Sequence, residues 1–141
     1  MKTRLNYWKT SPEVYKAMLA LQTAVNAGGI ESSLLNLIQH RASQINGCAF
    51  CIDMHTKELR AGGETEQRIY MLDAWRESPF YSEREQAALA WTEAVTRITE
   101  GHVPADVYED ARRQFSEDEL VKLTLAIVAI NGWNRFGIAF P

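Results

Sequence analysis

Apolar residues recur every three or four positions along most of the chain, which is the spacing of one face of a helix. They return about once per turn between Val14 and Val25, and again between Leu34 and Ile45. No segment shows the sustained alternation of apolar and polar residues that marks a half-buried strand. The pattern predicts an all-α protein of about seven helices without a significant sheet, forming a single domain over residues 1–141.

Capping residues mark the beginnings of several of these helices. Pro12 stands at a favoured first helical position, directly after a serine that can cap the helix. Ser82 with Glu85, and Ser116 with Glu119, have the spacing of a capping box, in which each side chain bonds the backbone N–H of the other residue. These signals predict three helix starts.

The last predicted helix, over residues 120–130, is so apolar that a buried central position is expected for it. Gly132 is expected to end this helix, and no element is predicted for the aromatic-rich tail, residues 133–141. The tryptophans lie in different segments, so we interpret them as anchors of the core and of subunit interfaces rather than as a binding cage. They are Trp8, Trp75, Trp91 and Trp133.

Composition and charge narrow the class of protein. Hydrophobic residues make up 46% and charged residues 23% of the chain, which is ordinary for a globular domain. Fifteen basic against eighteen acidic residues give a net charge of −3, so no partner is expected among nucleic acids or membranes. The first residues show no signal peptide, and the longest apolar run is too short to span a bilayer. A reducing, cytoplasmic compartment is therefore expected.

Cys48 and Cys51, the two cysteines of the chain, carry the clearest chemical signal together with His55. Two thiols three residues apart close too short a loop to stabilise a fold. On a helix running from about Cys48 to Arg60, the three side chains would share one face, and unpaired N–H groups at the helix start would favour a thiolate. The spacing allows a disulfide, and the imidazole could exchange a proton with the thiol. This arrangement suits one thiol that is oxidised and a second that resolves it.

Two other interpretations of these residues remain open. The cysteines could be buried and inert beside a surface histidine. Alternatively, Cys48, Cys51 and His55 could bind zinc, with His40 or His102 as the fourth ligand. Structural zinc sites usually have a second close pair of ligands, and this chain has no further cysteine to supply one.

Residues 42–57, ASQINGCAFCIDMHTK, resemble the core of the AhpD-like alkylhydroperoxidases, which belong to the carboxymuconolactone decarboxylase superfamily. Residues 130–135, INGWNR, resemble the ending of many members. The likeness covers about residues 14–140 and implies an all-helical homo-oligomer, commonly a trimer or hexamer. The apolar last helix and aromatic tail also favour self-association.

The resemblance implies a hydroperoxide substrate and a role for each residue of the motif. Cys51 would attack the peroxide, Cys48 would resolve the product, and His55 would belong to the proton relay. No bound cofactor is implied, but an external dithiol, on a lipoyl group or a thioredoxin-like protein, would reduce the disulfide. Metal-free chemistry is expected throughout this cycle.

The chain departs from the family pattern at two positions. Asn36 stands twelve residues before Cys48, where the relay usually has a glutamate, and Phe50 stands where well-studied peroxidases have a histidine. An asparagine can hydrogen-bond but cannot exchange a proton near neutral pH. His40, one turn after Asn36, is a possible substitute, or else a solvated or hydrogen-bonded histidine without a role; Glu31 is a weaker candidate.

The sequence therefore predicts a thiol-dependent peroxidase or disulfide oxidoreductase. The alternative is a non-enzymatic, oligomeric redox sensor or stress-response protein that uses the same thiols as a switch, and the loss of the relay acid at Asn36 favours it. The decarboxylase branch of the superfamily is a poor match, because its lactone chemistry does not depend on this cysteine pair.

Overall fold

The structure is a computed structural model, and it describes residues 2–141. Within that range eight α-helices and one 3₁₀ helix form the fold and no strand occurs, which confirms the all-α prediction. The helices are α1 (Tyr7–Thr10), α2 (Pro12–Asn26), α3 (Ser32–Asn46), α4 (Ala49–Ala61), α5 (Glu66–Tyr70), the 3₁₀ helix (Leu72–Glu77), α6 (Glu83–Thr96), α7 (Ala105–Gln114) and α8 (Glu117–Ala139).

The helix count differs from the predicted seven at two places. Helix α1 is a single turn capped by Asn6, too short to show a periodic pattern. The segment after Thr65, predicted as one helix, is divided at Met71 into α5 and the 3₁₀ helix. Both capping boxes are confirmed, at Ser82 before α6 and at Ser116 before α8.

The predicted end of the last helix at Gly132 is wrong, because α8 continues to Ala139. A Cβ at position 132 would lie 3.1 Å from Cε of Met18, so the glycine allows α2 to pack closely on α8. This tertiary contact outweighs the roughly 1 kcal/mol by which a glycine disfavours a helix. The expected burial of this segment holds for one face, where Leu123 and Ile127 are fully buried, but Val121 and Val128 are exposed on the other face.

Helix α3 lies at the centre and packs against α4, α6 and α8. Its fully buried Leu37 and Ile38 belong to the two halves of the hydrophobic core. The buried carboxylate of Glu93 on α6 accepts hydrogen bonds from Arg41 of α3 and from the indole N–H of Trp75. These contacts fix the helix that precedes the cysteines. No helix within residues 2–141 has both the length and the hydrophobicity needed to cross a membrane.

Candidate active site

The cysteine pair lies where the chain passes from α3 to α4. Gly47 ends α3 in the left-handed region, with φ of 70°, which a glycine adopts without strain. Cys48 follows as the N-cap of α4, and its sulfur accepts a hydrogen bond from the backbone N–H of Cys51 at 3.3 Å. The predicted helix start at Cys48 is thus confirmed, and both sulfurs lie at the positive end of the helix dipole.

Cys48 and Cys51 form a disulfide, with 5.2 Å between their Cα atoms. Both residues are nearly inaccessible to solvent, at 1% and 3% exposure. Helix α8 passes directly over the pair, because a Cβ at Gly137 would lie only 3.1 Å from the sulfur of Cys48. The sulfurs therefore occupy an enclosed site between α4 and α8.

His55 lies one turn after Cys51 and is 4% exposed, which excludes a surface histidine. Its Nδ1 is 3.0 Å from a carboxylate oxygen of Glu58. Its Nε2 is buried without a hydrogen-bond partner in the described residues. Burial lowers the pKa of His55, while the hydrogen bond and charge of Glu58 act to raise it. With Nδ1–H donated to the carboxylate, Nε2 carries the lone pair and can act as a base.

His40 is buried rather than solvated, with 2% exposure, and its Nδ1 has no hydrogen-bond partner among the described residues. Burial, followed by the charges of His55 and Arg41, lowers the pKa of His40 to about 4. A histidine with this pKa is neutral at pH 7. His40 does not line the cavity described below, so it would not contact a substrate bound there.

The remaining relay candidates, Asn36 and Glu31, differ in whether they line the cavity. Asn36 is partly buried and lines the cavity. Glu31 forms an ion pair with Arg84 at 2.8 Å and does not line the cavity, so it is not a relay group of this site. Glu58 is a further residue of the site that was not predicted from the sequence; its side chain is 47% exposed and lies on the cavity wall. Its position three residues after His55 was the available signal, since such residues meet on a helix.

A cavity of about 810 Å³ opens onto the redox pair. Cys51 and His55 line it, whereas Cys48 does not. Its wall is mainly apolar and aromatic, and a few amides interrupt it. The aromatic members are Tyr7, Trp8, Tyr15, Phe50 and Trp133, and the amides are Gln22, Asn26, Asn36 and Gln39.

The tryptophans divide between the core and this cavity. Trp75 and Trp91 are buried in the hydrophobic core, as expected. Trp8 and Trp133 line the cavity instead. The indole N–H of Trp133 donates to Gln22 on α2 at 3.1 Å, which fixes the ring as part of the wall.

A network of amides attaches the turn before Cys48 to α8. Asn46 donates to Oδ1 of Asn131 at 3.0 Å and to Oδ1 of Asn134 at 2.9 Å. Asn134 is fully buried and donates to the hydroxyl of Ser43 at 3.0 Å. The backbone N–H of Cys48 in turn donates to the carbonyl of Ser43. The two asparagines near the end of the chain therefore hold the cysteine turn in place.

The ligands considered for zinc do not come together as a set. His102 is exposed, in the loop before α7, with a positive φ of 56°. In residues 2–141, no group of three or more histidine, cysteine, aspartate or glutamate side chains is arranged to hold a metal ion.

Comparison with known proteins supports the resemblance seen in the sequence. An uncharacterised Bacillus subtilis protein, YdfG, is 45% identical over 139 residues, covering 99% of this chain and 95% of its own. A protein of unknown function from Agrobacterium tumefaciens, described as a candidate AhpD antioxidant defence protein, has a similar structure. Its TM-score is 0.96 at 52% identity, covering 99% of this chain and 95% of that one.

More distant structures share the fold. The debrominase Bmp8 has a TM-score of 0.79 at 21% identity, covering 93% of this chain and 70% of its own. The carboxymuconolactone decarboxylase family model matches residues 12–94, more than half of the chain and all of the cysteine motif. The chain therefore belongs to the carboxymuconolactone decarboxylase family.

Proposed function

We propose that this protein is a thiol-dependent peroxidase that reduces organic hydroperoxides while Cys48 and Cys51 cycle between dithiol and disulfide. One observation carries the proposal. The two cysteines are bonded at the start of α4, and Cys51 opens with His55 onto an apolar cavity. Family membership and the structural likeness to the Agrobacterium protein are consistent with it.

In the first step His55 accepts the proton of the Cys51 thiol, and the thiolate attacks one peroxide oxygen. The O–O bond breaks, the sulfur is oxidised to a sulfenic acid, and the leaving alkoxide takes the proton back from His55 to become an alcohol. The lining of the cavity supports Cys51 as the attacking residue, because Cys51 lines it and Cys48 does not.

In the second step the Cys48 thiol condenses with the sulfenic acid, forming the disulfide and releasing water. An external dithiol then attacks the disulfide, returning both cysteines to thiols and leaving as a disulfide itself. The exposures of 1% and 3% favour a slender dithiol, such as a lipoyl group, that enters through the cavity. A reducing cytoplasm would supply it, and by family resemblance the working form is a trimer or hexamer.

The cavity supports an organic hydroperoxide as the substrate rather than hydrogen peroxide. A cavity of 810 Å³ lies within the range that holds drug-sized ligands, and its aromatic wall provides apolar contact. Hydrogen peroxide needs neither the volume nor the apolar surface. An alkyl or aryl group on the hydroperoxide would occupy it, with the peroxide directed at Cys51.

The test is peroxide consumption with cumene hydroperoxide and dihydrolipoamide. We expect turnover in the wild-type protein and none in Cys51→Ser. Cys48→Ser should give one round of oxidation and a sulfenic acid that dimedone traps on Cys51. Turnover that survives Cys51→Ser would end the proposal.

Asn36 favours a second candidate, a redox sensor, because the usual relay acid is absent from that position. A sensor would form the disulfide with one equivalent of peroxide but would not turn over with any dithiol. It would also change its assembly or partner binding on oxidation, which size-exclusion chromatography of both states would detect.

A further inference from the structure

We propose that Glu58 supplies the carboxylate that the proton relay lacks at Asn36, acting as a positioning residue that orients His55 and stabilises its protonated form. The relay itself rests on the proposed function, whereas the contact between Glu58 and His55 is observed in the structure. The ring of His55 is enclosed, its Nδ1 lies 3.0 Å from Glu58, and its Nε2 has no partner within residues 2–141.

The two positions for an acid lie on neighbouring helices, α3 and α4, which pack against each other. The Asn36 amide nitrogen lies 3.9 Å from where a Cβ on Gly62 would stand, so its side chain packs against the end of α4. Asn36 and Glu58 both line the cavity. A carboxylate on α4 can thus serve where one on α3 is missing.

The hydrogen bond between His55 and Glu58 fixes which nitrogen of the imidazole carries the proton. A carboxylate only accepts hydrogen bonds, so Nδ1 must be the donor and Nε2 carries the lone pair. When Nε2 takes a proton, the negative charge on Glu58 stabilises the imidazolium that forms, as an opposite charge at this distance does. Nε2 is the atom left free for Cys51, four residues earlier on the same helix face.

The groups that act on His55 are few. On its own helix, Glu58 raises its pKa against the effect of burial. From α3, His40 faces it, with a pKa of about 4 and so without charge at neutral pH. Within residues 2–141, no charged group on α5 or α8, the other helices that pack on α4, shifts the pKa of His55. Glu58 is thus the charge that favours the protonated form of His55, against the larger effect of burial.

The experiment measures the ionisation of Cys51 without peroxide. In the reduced Cys48→Ser protein, the rate of Cys51 alkylation by iodoacetamide is followed from pH 5 to pH 10. Adding Glu58→Gln keeps an oxygen that can accept from Nδ1 but removes the charge. We expect the apparent pKa of the thiol to rise by about one unit, so that alkylation at pH 7 slows about tenfold.

Asp53→Asn is the matched control, because it removes one acidic charge from the same helix at an exposed ion pair with Lys57. It should leave the profile unchanged. Asn36→Glu added to Glu58→Gln should return the pKa at least halfway, since it restores an acid on the wall of the same cavity. A Glu58→Gln profile equal to the control, or no return with Asn36→Glu, would overturn the inference.

The outcome is separable from that of the proposed function. A shifted thiol pKa without peroxide turnover would refute the peroxidase and leave the role of Glu58 intact. Peroxide turnover with an unshifted thiol pKa would support the peroxidase and refute the role of Glu58.

Discussion

Gly137 and Cys48 lie in direct contact, because a Cβ on Gly137 would stand 3.1 Å from the Cys48 sulfur and 3.5 Å from that of Cys51. Helix α8 reaches the redox pair only because this position has no side chain. We predict that Gly137→Ala displaces the sulfurs and slows oxidation of Cys51 by about tenfold or more. Stopped-flow fluorescence after mixing the reduced protein with cumene hydroperoxide would measure the rate.

Gly132→Ala provides the control for that substitution. It lies on the same helix and gains the same roughly 1 kcal/mol of helix propensity. Its Cβ would meet Cε of Met18 at 3.1 Å, the end of a flexible side chain that can move aside. Oxidation should stay near the wild-type rate in this variant, and equal rates in the two variants would refute the role given to Gly137.

The amide network makes a second prediction, on stability. Replacing Asn134 by alanine removes one acceptor of the partly buried Asn46 and the donor to the buried hydroxyl of Ser43. Each lost hydrogen bond contributes about 0.5–1.5 kcal/mol, so we expect Asn134→Ala to lower the free energy of unfolding by about 2 kcal/mol. Urea unfolding of the oxidised protein, followed by circular dichroism, would measure it.

Arg135→Ala is the neighbouring control, since Arg135 is exposed and its side-chain hydrogen bonds within residues 2–141 go only to Asn131. It should change the free energy of unfolding by less than about 0.5 kcal/mol. If both variants were equally stable, the network would not be what holds the cysteine turn on α8.

The features that the sequence predicted depend on residues that are close together along the chain. The capping boxes at Ser82 and Ser116 and the start of α4 at Cys48 are local, and each is confirmed. The continuation of α8 through Gly132 was not predictable, because it depends on packing against Met18.

The parts of the site that the sequence missed depend on distant segments. The role of Glu58 follows from the burial of its partner His55, which α3 and α8 create by packing on α4. The cavity is built by α1, α2, α3, α4 and α8, so no local pattern describes it. Trp8 and Trp133, interpreted from the sequence as anchors of the core and of subunit interfaces, both line this cavity.

The buried His40 predicts how stability depends on pH. Its pKa is about 4 in the folded protein and about 6.5 in the unfolded chain, so the unfolded state binds more protons between these values. Stability is therefore lost as the pH falls through 6.5 towards 4. We expect a loss of about 2 kcal/mol from His40 between pH 7 and pH 5.

Urea unfolding at both pH values, in the wild type and in His40→Gln, would isolate this contribution. The quantity to compare is each protein's change between pH 7 and pH 5, which is insensitive to any constant cost of the substitution. Most carboxylates stay ionised over this range, since their ordinary pKa is near 4. An equal change in both proteins would show that His40 takes up its proton in the folded state.

Trp8 gives the test of the cavity as the site of the organic group. It is 46% exposed on α1, which stacking of Tyr7 on Phe136 at 4.8 Å holds against α8. We expect Trp8→Ala to reduce kcat/KM for cumene hydroperoxide about fivefold or more and to change that for hydrogen peroxide less than twofold. The difference arises because only the larger substrate contacts the wall. Tyr108→Ala, an equally exposed aromatic outside this cavity, should affect neither. A parallel loss with both peroxides in Trp8→Ala would mean that α1 supports the redox pair rather than the substrate.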